Sequence, residues 1–98
     1  HCTVLFAIDP ATGAIDPEQQ DNIPGLEALA DADLMVIFTR FRNLPDDQMK
    51  HIVDYTNSGR PILGVRTSTH AFRYPADSPS PYRHLSWDSI EPKGGWGR

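Results

Sequence analysis

A single cysteine, Cys2, stands in the 98 residues. An internal disulfide is therefore excluded, and so is any cysteine-based zinc site built by this chain alone. No apolar run approaches the roughly 18 residues that span a bilayer, and no charged-then-apolar leader precedes the first apolar stretch. The chain opens at His1 rather than at methionine, as processed material or a piece of a longer chain would. Excess basic charge is also missing. A formal net charge of -4 speaks against a nucleic-acid partner, because phosphate binding draws on a basic surface, and it speaks equally against an anionic membrane. There is no glycine-rich phosphate loop following a strand, no internal repeat, no heptad pattern and no glycosylation sequon. No cofactor is expected on these grounds. The histidines at 1, 51, 70 and 84 have no ligand spacing, so no metal site is expected either.

What is present suits one compact domain. Hydrophobic content of 39% and charged content of 22% lie slightly below globular averages. A chain this short buries only roughly 60–70% of the surface exposed when it unfolds, so one core is the limit.

The order of apolar runs and breakers gives an α/β alternation. Residues 3–8, Thr-Val-Leu-Phe-Ala-Ile, are β-branched and aromatic and stop at Asp-Pro-Ala-Thr-Gly, the pattern of a buried strand and its turn. Residues 10–24 are polar and hold three prolines. Leu26, Leu29 and Ala30 then recur at helical spacing, predicting a helix of two or three turns. Residues 33–39, Asp-Leu-Met-Val-Ile-Phe-Thr, form a continuous apolar run without alternation, which predicts a strand covered on both faces of a parallel sheet. A second helix follows, with Pro45 at its first position, Asp46 and Asp47 in its first turn and Gly59 as its stop; Met49, Ile52, Val53 and Thr56 line one face. Residues 61–65, Pro-Ile-Leu-Gly-Val, predict a third strand. From Pro75 onward, four prolines and three glycines in 24 residues describe a loop or an approach to an element beyond it; the closing Gly-Gly-Trp-Gly-Arg follows no strand.

In open α/β sheets ligands bind outside the carboxyl ends of the strands. All three predicted strands deliver polar residues to that edge: Asp9 from the first, Thr39, Arg40 and Arg42 from the second, and Arg66, Thr67, Ser68, Thr69 and His70 from the third. Two readings compete for each. Arg40 and Arg42 either are solvated or paired with Asp9, or hold a ligand. A cation at Arg66 opposes the dipole of a helix starting near Thr67, which a carboxylate or a bound anion would offset. The three hydroxyls cap that helix start or serve as ligand contacts. His70 is a buried or capping histidine, or a base.

The stretches Asp33–Phe72 and Thr3–Gly13 resemble the trehalose-utilisation (ThuA-like) domain, a branch of the class I glutamine amidotransferase-like superfamily. The resemblance covers most of residues 2–74 and implies a flavodoxin-like three-layer α/β sandwich with a parallel sheet, present here in part, with residues 75–98 leading toward further elements. In amidotransferases of that superfamily a Gly-x-Cys-x-Gly-x-Gln turn carries the nucleophile. The matching residues here are Gly64, Val65, Arg66, Thr67, Ser68, Thr69 and His70, so Arg66 stands where the thiol would be, and histidine, common there in ThuA-like proteins, is missing too. The resemblance thus implies elbow geometry without glutaminase activity.

It also implies that the strand between this chain's first and second is missing, so the segment is expected to be a fragment, to rearrange, or to be completed by a second copy or an adjoining domain. The leading expectation is binding of a small polar or anionic, sugar-related ligand at the strand ends by Asp9, Arg40, Arg66, Thr67, Ser68 and His70. The alternatives are a hydrolase whose catalytic groups lie outside the segment and a non-catalytic interaction module.

Overall fold

The computed structural model describes residues 1–89 and Trp96. The closing Gly-Gly-Trp-Gly-Arg run lies outside the described residues apart from that tryptophan. The fold is mixed α/β: a two-stranded parallel sheet, one α-helix and three short 3-10 helices among the described residues.

Strand β1 is Met35–Ile37 and strand β2 is Ile62–Gly64. They pair Met35 with Ile62, Val36 with Leu63 and Ile37 with Gly64. Between them runs helix α1, Asp46–Asn57. Pro45 sits just before its first turn at φ -61°, Asp46 and Asp47 place negative charge on its positive end, and Gly59 at φ 77° adopts the left-handed conformation that turns the chain away. The first 3-10 helix, Leu26–Asp31, packs against α1. The predicted helix there is a tighter coil because Gly25 enters at φ 92° and no side chain caps its free amides.

Met35 and Ile37 point inward and join Met49, Ile52 and Tyr55 of α1, together with Ile23, Leu26 and Leu44, in one core. Burying each large aliphatic side chain contributes about 1.5–3 kcal/mol. Tyr55 takes the core position that the spacing assigned to Thr56; its hydroxyl donates to the Pro61 carbonyl at 2.7 Å, so the helix rolls to bury a ring whose polar tip is satisfied. Thr56 is exposed and donates back to the Ile52 carbonyl at 2.9 Å.

Two expectations are corrected. The 33–39 run is not covered on both faces: Leu34, Val36 and Phe38 are 51–62% exposed, and Leu63 beside Val36 is 54% exposed. The sheet has a core on one side only. Residues 3–8 are not a strand of the sheet. Leu5 and Ala7 pack against the core while Val4 and Phe6 face outward, which preserves the two-residue period, but among the described residues the only ladder contact is an isolated antiparallel bridge from Ile8 to Ile15. A strand exists only with a partner. This segment bonds instead to its own return and to Asn22: the Asp16 amide donates to Ala7, the Ile8 amide to Asn22, and the Asn22 side chain to the Ile8 carbonyl at 2.8 Å. Asn22 and Ile23 are in turn held by Gln48 of α1.

Residues 74–87 fold back on the core. The Tyr74 hydroxyl donates to the Leu44 carbonyl at 2.9 Å, the Tyr74 amide to the Ser86 hydroxyl at 3.1 Å, and the Trp87 amide to the Phe72 carbonyl at 2.9 Å. A one-turn 3-10 helix, Arg83–Leu85, lies within this stretch.

Candidate functional site

The two strands separate and rejoin. Their regular pairing ends where the Val65 amide donates to the Ile37 carbonyl at 3.0 Å. It resumes where the Phe41 amide donates to His70 at 2.9 Å and Arg42 bridges Phe72 in parallel. Between these points the chains Phe38–Arg40 and Arg66–Thr69 run without backbone bonds to each other, a gap in the pairing at the carboxyl edge of the sheet.

Strain collects around this gap. Phe41 at φ 56° and Arg66 at φ 57° are the non-glycine residues in the left-handed region among the described residues, one following each strand. Such conformations cost of order 1–3 kcal/mol and cluster where function fixes the backbone. The Thr39 hydroxyl, between β1 and Phe41, is buried without a hydrogen-bond partner.

The third predicted strand leaves the core through Gly64 for a physical reason. A Cβ there would collide with the buried Ser68 hydroxyl, which would have to swing aside, so glycine lets the chain return tightly past this point. Arg66 forms the apex. Thr67 precedes a 3-10 helix, Ser68–His70, closed by the His70 amide donating to Thr67 at 2.8 Å and the Ala71 amide to Ser68 at 3.1 Å. Contrary to the capping expectation, no side-chain hydroxyl caps that start; the backbone closes it alone. Ser68 is buried and Thr67 half-buried, while Arg66, Thr69 and His70 are exposed.

His70 is neither buried nor a cap. Its ring lies edge-on to Trp87 at 5.0 Å and 6.4 Å from Phe41, whose ring is 5.7 Å from Trp87. No hydrogen bond joins the His70 ring to the hydroxyls of Ser68, Thr67 or Thr69 among the described residues, so no nucleophile–base pair is assembled.

The arginines divide. Arg42 is structural: its guanidinium donates to the carbonyls of Gln19 at 2.5 Å and Pro17 at 3.1 Å, tying the polar 16–20 loop to the sheet. Arg66 reaches over the Phe38 ring at 6.0 Å. Arg40 stacks on Phe41 at 4.6 Å, and Arg73 approaches the same ring at 5.8 Å. None of these three pairs with a carboxylate; the ion pair among the described residues is Lys50–Asp54, on the exposed face of α1.

Asp9 does not join them. Its carboxylate accepts from the Ala11 amide at 2.9 Å, and its carbonyl from Gly13, so it shapes its own turn. The expected pairing of Asp9 with Arg40 or Arg42 fails because the segment carrying Asp9 is outside the sheet.

Phe41, Arg73 and Trp87 escape a sequence reading. Nothing in their local pattern marks them; they meet because Arg42 pairs with Phe72 across 30 residues of chain. Elsewhere, an open depression of about 500 Å³ is lined by Ser78–Pro81, Arg83 and His84, and a second of about 300 Å³ lies beside the start of α1. No cluster of three or more His, Cys, Asp or Glu side chains suited to a metal ion occurs among the described residues, and no helix there is long and apolar enough to cross a membrane. No protein-family model, curated protein or solved structure shows a significant match to the chain.

Proposed function

We propose that the chain is part of a ThuA-like, flavodoxin-type α/β domain that binds a small polar or anionic, sugar-related ligand at the carboxyl ends of its strands, without glutaminase activity. The observation that carries this reading is the turn Gly64–His70. It leaves a parallel strand, places a non-glycine residue at φ 57° and enters a helical turn at once, the shape of an elbow that presents one side chain. At its apex stands Arg66, which has no leaving group to displace and no thiol to attack with, but offers planar donors to carboxylates, phosphates and hydroxyls. Arg40 on the opposite side of the gap, the Thr67 and Ser68 hydroxyls and the exposed His70 ring complete the contact set. Asp9 is left to its turn.

In this reading the sheet is extended by a second copy of the chain or by an adjoining domain, consistent with parallel strands being covered on both faces in known α/β architectures. The test is a titration of the chain with sugars, sugar phosphates and carboxylates, repeated for Arg66→Ala. Loss of roughly tenfold or more in affinity is expected for a charged hydrogen-bonding group; unchanged affinities for every bound compound would refute the assignment.

A further inference from the structure

We infer that the ligand of the strand-end gap carries a phosphate monoester, and that its dianion is held jointly by Arg40 and Arg73, which share the Phe41 ring as a pedestal. This inference rests on the strand-end reading above and deepens it.

The argument starts from charge. The chain has 13 acidic residues against 9 Lys and Arg, and among the described residues Lys50 alone forms an ion pair while Arg42, Arg60 and Arg83 donate to backbone carbonyls. Yet Arg40 and Arg73, both exposed, have neither a carboxylate nor a hydrogen-bond acceptor among the described residues, and both are drawn to one ring. Their guanidinium carbons lie at 4.6 and 5.8 Å from the Phe41 centroid, so the two charges are no farther apart than the sum of those distances. A doubly negative group placed between two such cations is attracted to both. A monoanion would neutralise only one.

Position supports the assignment. Arg40 comes from the β1 side of the gap and Arg73 from the chain just past the point where the strands rejoin, with its amide bonded to the Arg42 carbonyl at 2.8 Å. Phe41 itself is held at φ 56° by its amide bond to His70 and by the tilted contact with Trp87. A strained residue whose ring orders two cations is a preorganised support, because the rotamer freedom of both long side chains is reduced before a ligand arrives. Planar guanidinium forks then match phosphate oxygens in pairs.

The experiment titrates the whole chain with inorganic phosphate, glucose 6-phosphate, glucose and acetate at constant ionic strength, by calorimetry. Phosphate and the sugar phosphate are expected to bind at least about tenfold more tightly than acetate, and Arg40→Ala and Arg73→Ala each to weaken them roughly 10- to 100-fold. Arg83→Ala, on the tail away from the Phe41 ring, serves as the control for net charge and is expected to leave the affinity unchanged. Urea midpoints verify that each exposed substitution leaves the fold intact.

Wild-type-like phosphate binding by the Arg40→Ala/Arg73→Ala double variant overturns the inference, as does failure of wild type to bind phosphate, or equal losses in Arg83→Ala and Arg73→Ala. The parent reading fails separately. If Arg66→Ala weakens binding while the Arg40 and Arg73 variants do not, the strand-end site stands and the phosphate clamp falls. If only glucose binds, the same division holds.

Discussion

Replacing Arg66 by glycine and by alanine separates the backbone's contribution at the elbow from the side chain's. Both variants lose the guanidinium, so any difference between them reports the conformation of residue 66. At φ 57° an L-residue brings its Cβ close to the following carbonyl, at a cost of about 1–2 kcal/mol that glycine escapes. Glycine gives back about 0.4–1 kcal/mol through the greater freedom of its unfolded chain. Arg66→Gly should therefore exceed Arg66→Ala in stability by up to about 1.6 kcal/mol. For a domain of this length that is a rise in Tm of up to roughly 13 °C. Thermal unfolding followed by far-ultraviolet circular dichroism, with urea midpoints as a second measure, reads the difference. An alanine variant more stable than the glycine variant would mean that residue 66 does not occupy the left-handed region, and the elbow on which the proposed function rests would be gone. Neither variant should regain affinity for an anionic ligand, whatever its stability.

Three further outcomes are expected. Burial, followed by the nearby Asp46 charge and Tyr82, pushes the Tyr74 phenol well above its usual value. Since the fold favours the protonated form, its stabilising contribution is complete below the unfolded value of about 10 and declines as pH rises beyond it. Urea midpoints should consequently fall above about pH 10, and part of that slope should vanish in Tyr74→Phe. At neutral pH the same variant should lose about 0.5–1.5 kcal/mol, because the hydroxyl's bond to Leu44 is gone. Arg60→Ala should destabilise by about 1.5–3 kcal/mol, since its guanidinium donates to the carbonyls of Leu29, Ala30 and Ala32 at the end of the first 3-10 helix and stacks 4.4 Å from the Tyr55 ring. Lysine at that position should recover only part of the loss, as a measured midpoint would show, because an ammonium can donate to those carbonyls, all met by the single Nη1, but lacks the planar face over Tyr55 and the Nε donor to the Ser58 hydroxyl.

Local pattern disclosed the elements whose stabilisation is local. α1 was legible because Pro45, the aspartates and Gly59 mark its ends and Met49 and Ile52 its inner face; β1 and β2 were legible as apolar runs bounded by breakers. The segment 3–8 reads equally well as a strand, and its side chains do alternate, but no sequence pattern states whether a neighbouring strand is present to bond it. Coverage of β1 was misjudged for the same reason: an unbroken apolar run records what a face prefers, not what is packed against it. At the site, Arg66 and the hydroxyls after Gly64 were visible as a polar burst at a strand end. The Phe41 ring and its two cations were not, because they depend on a pairing between Arg42 and Phe72 that is set by how the whole sheet closes.

The bare side of the sheet gives the molecule a split character. Leu34, Val36, Phe38 and Leu63 turn toward water from one flank, while the formal charge of -4 spreads over the remainder. Greasy contact draws two molecules together; shared negative charge keeps them apart. Only the second force is screened by salt, over a Debye length that shrinks from about 30 Å at 0.01 M to about 10 Å at 0.1 M. Dilute buffer thus favours dispersed molecules, and added electrolyte favours clustering through that flank, so the behaviour of this protein in solution is set as much by ionic strength as by concentration.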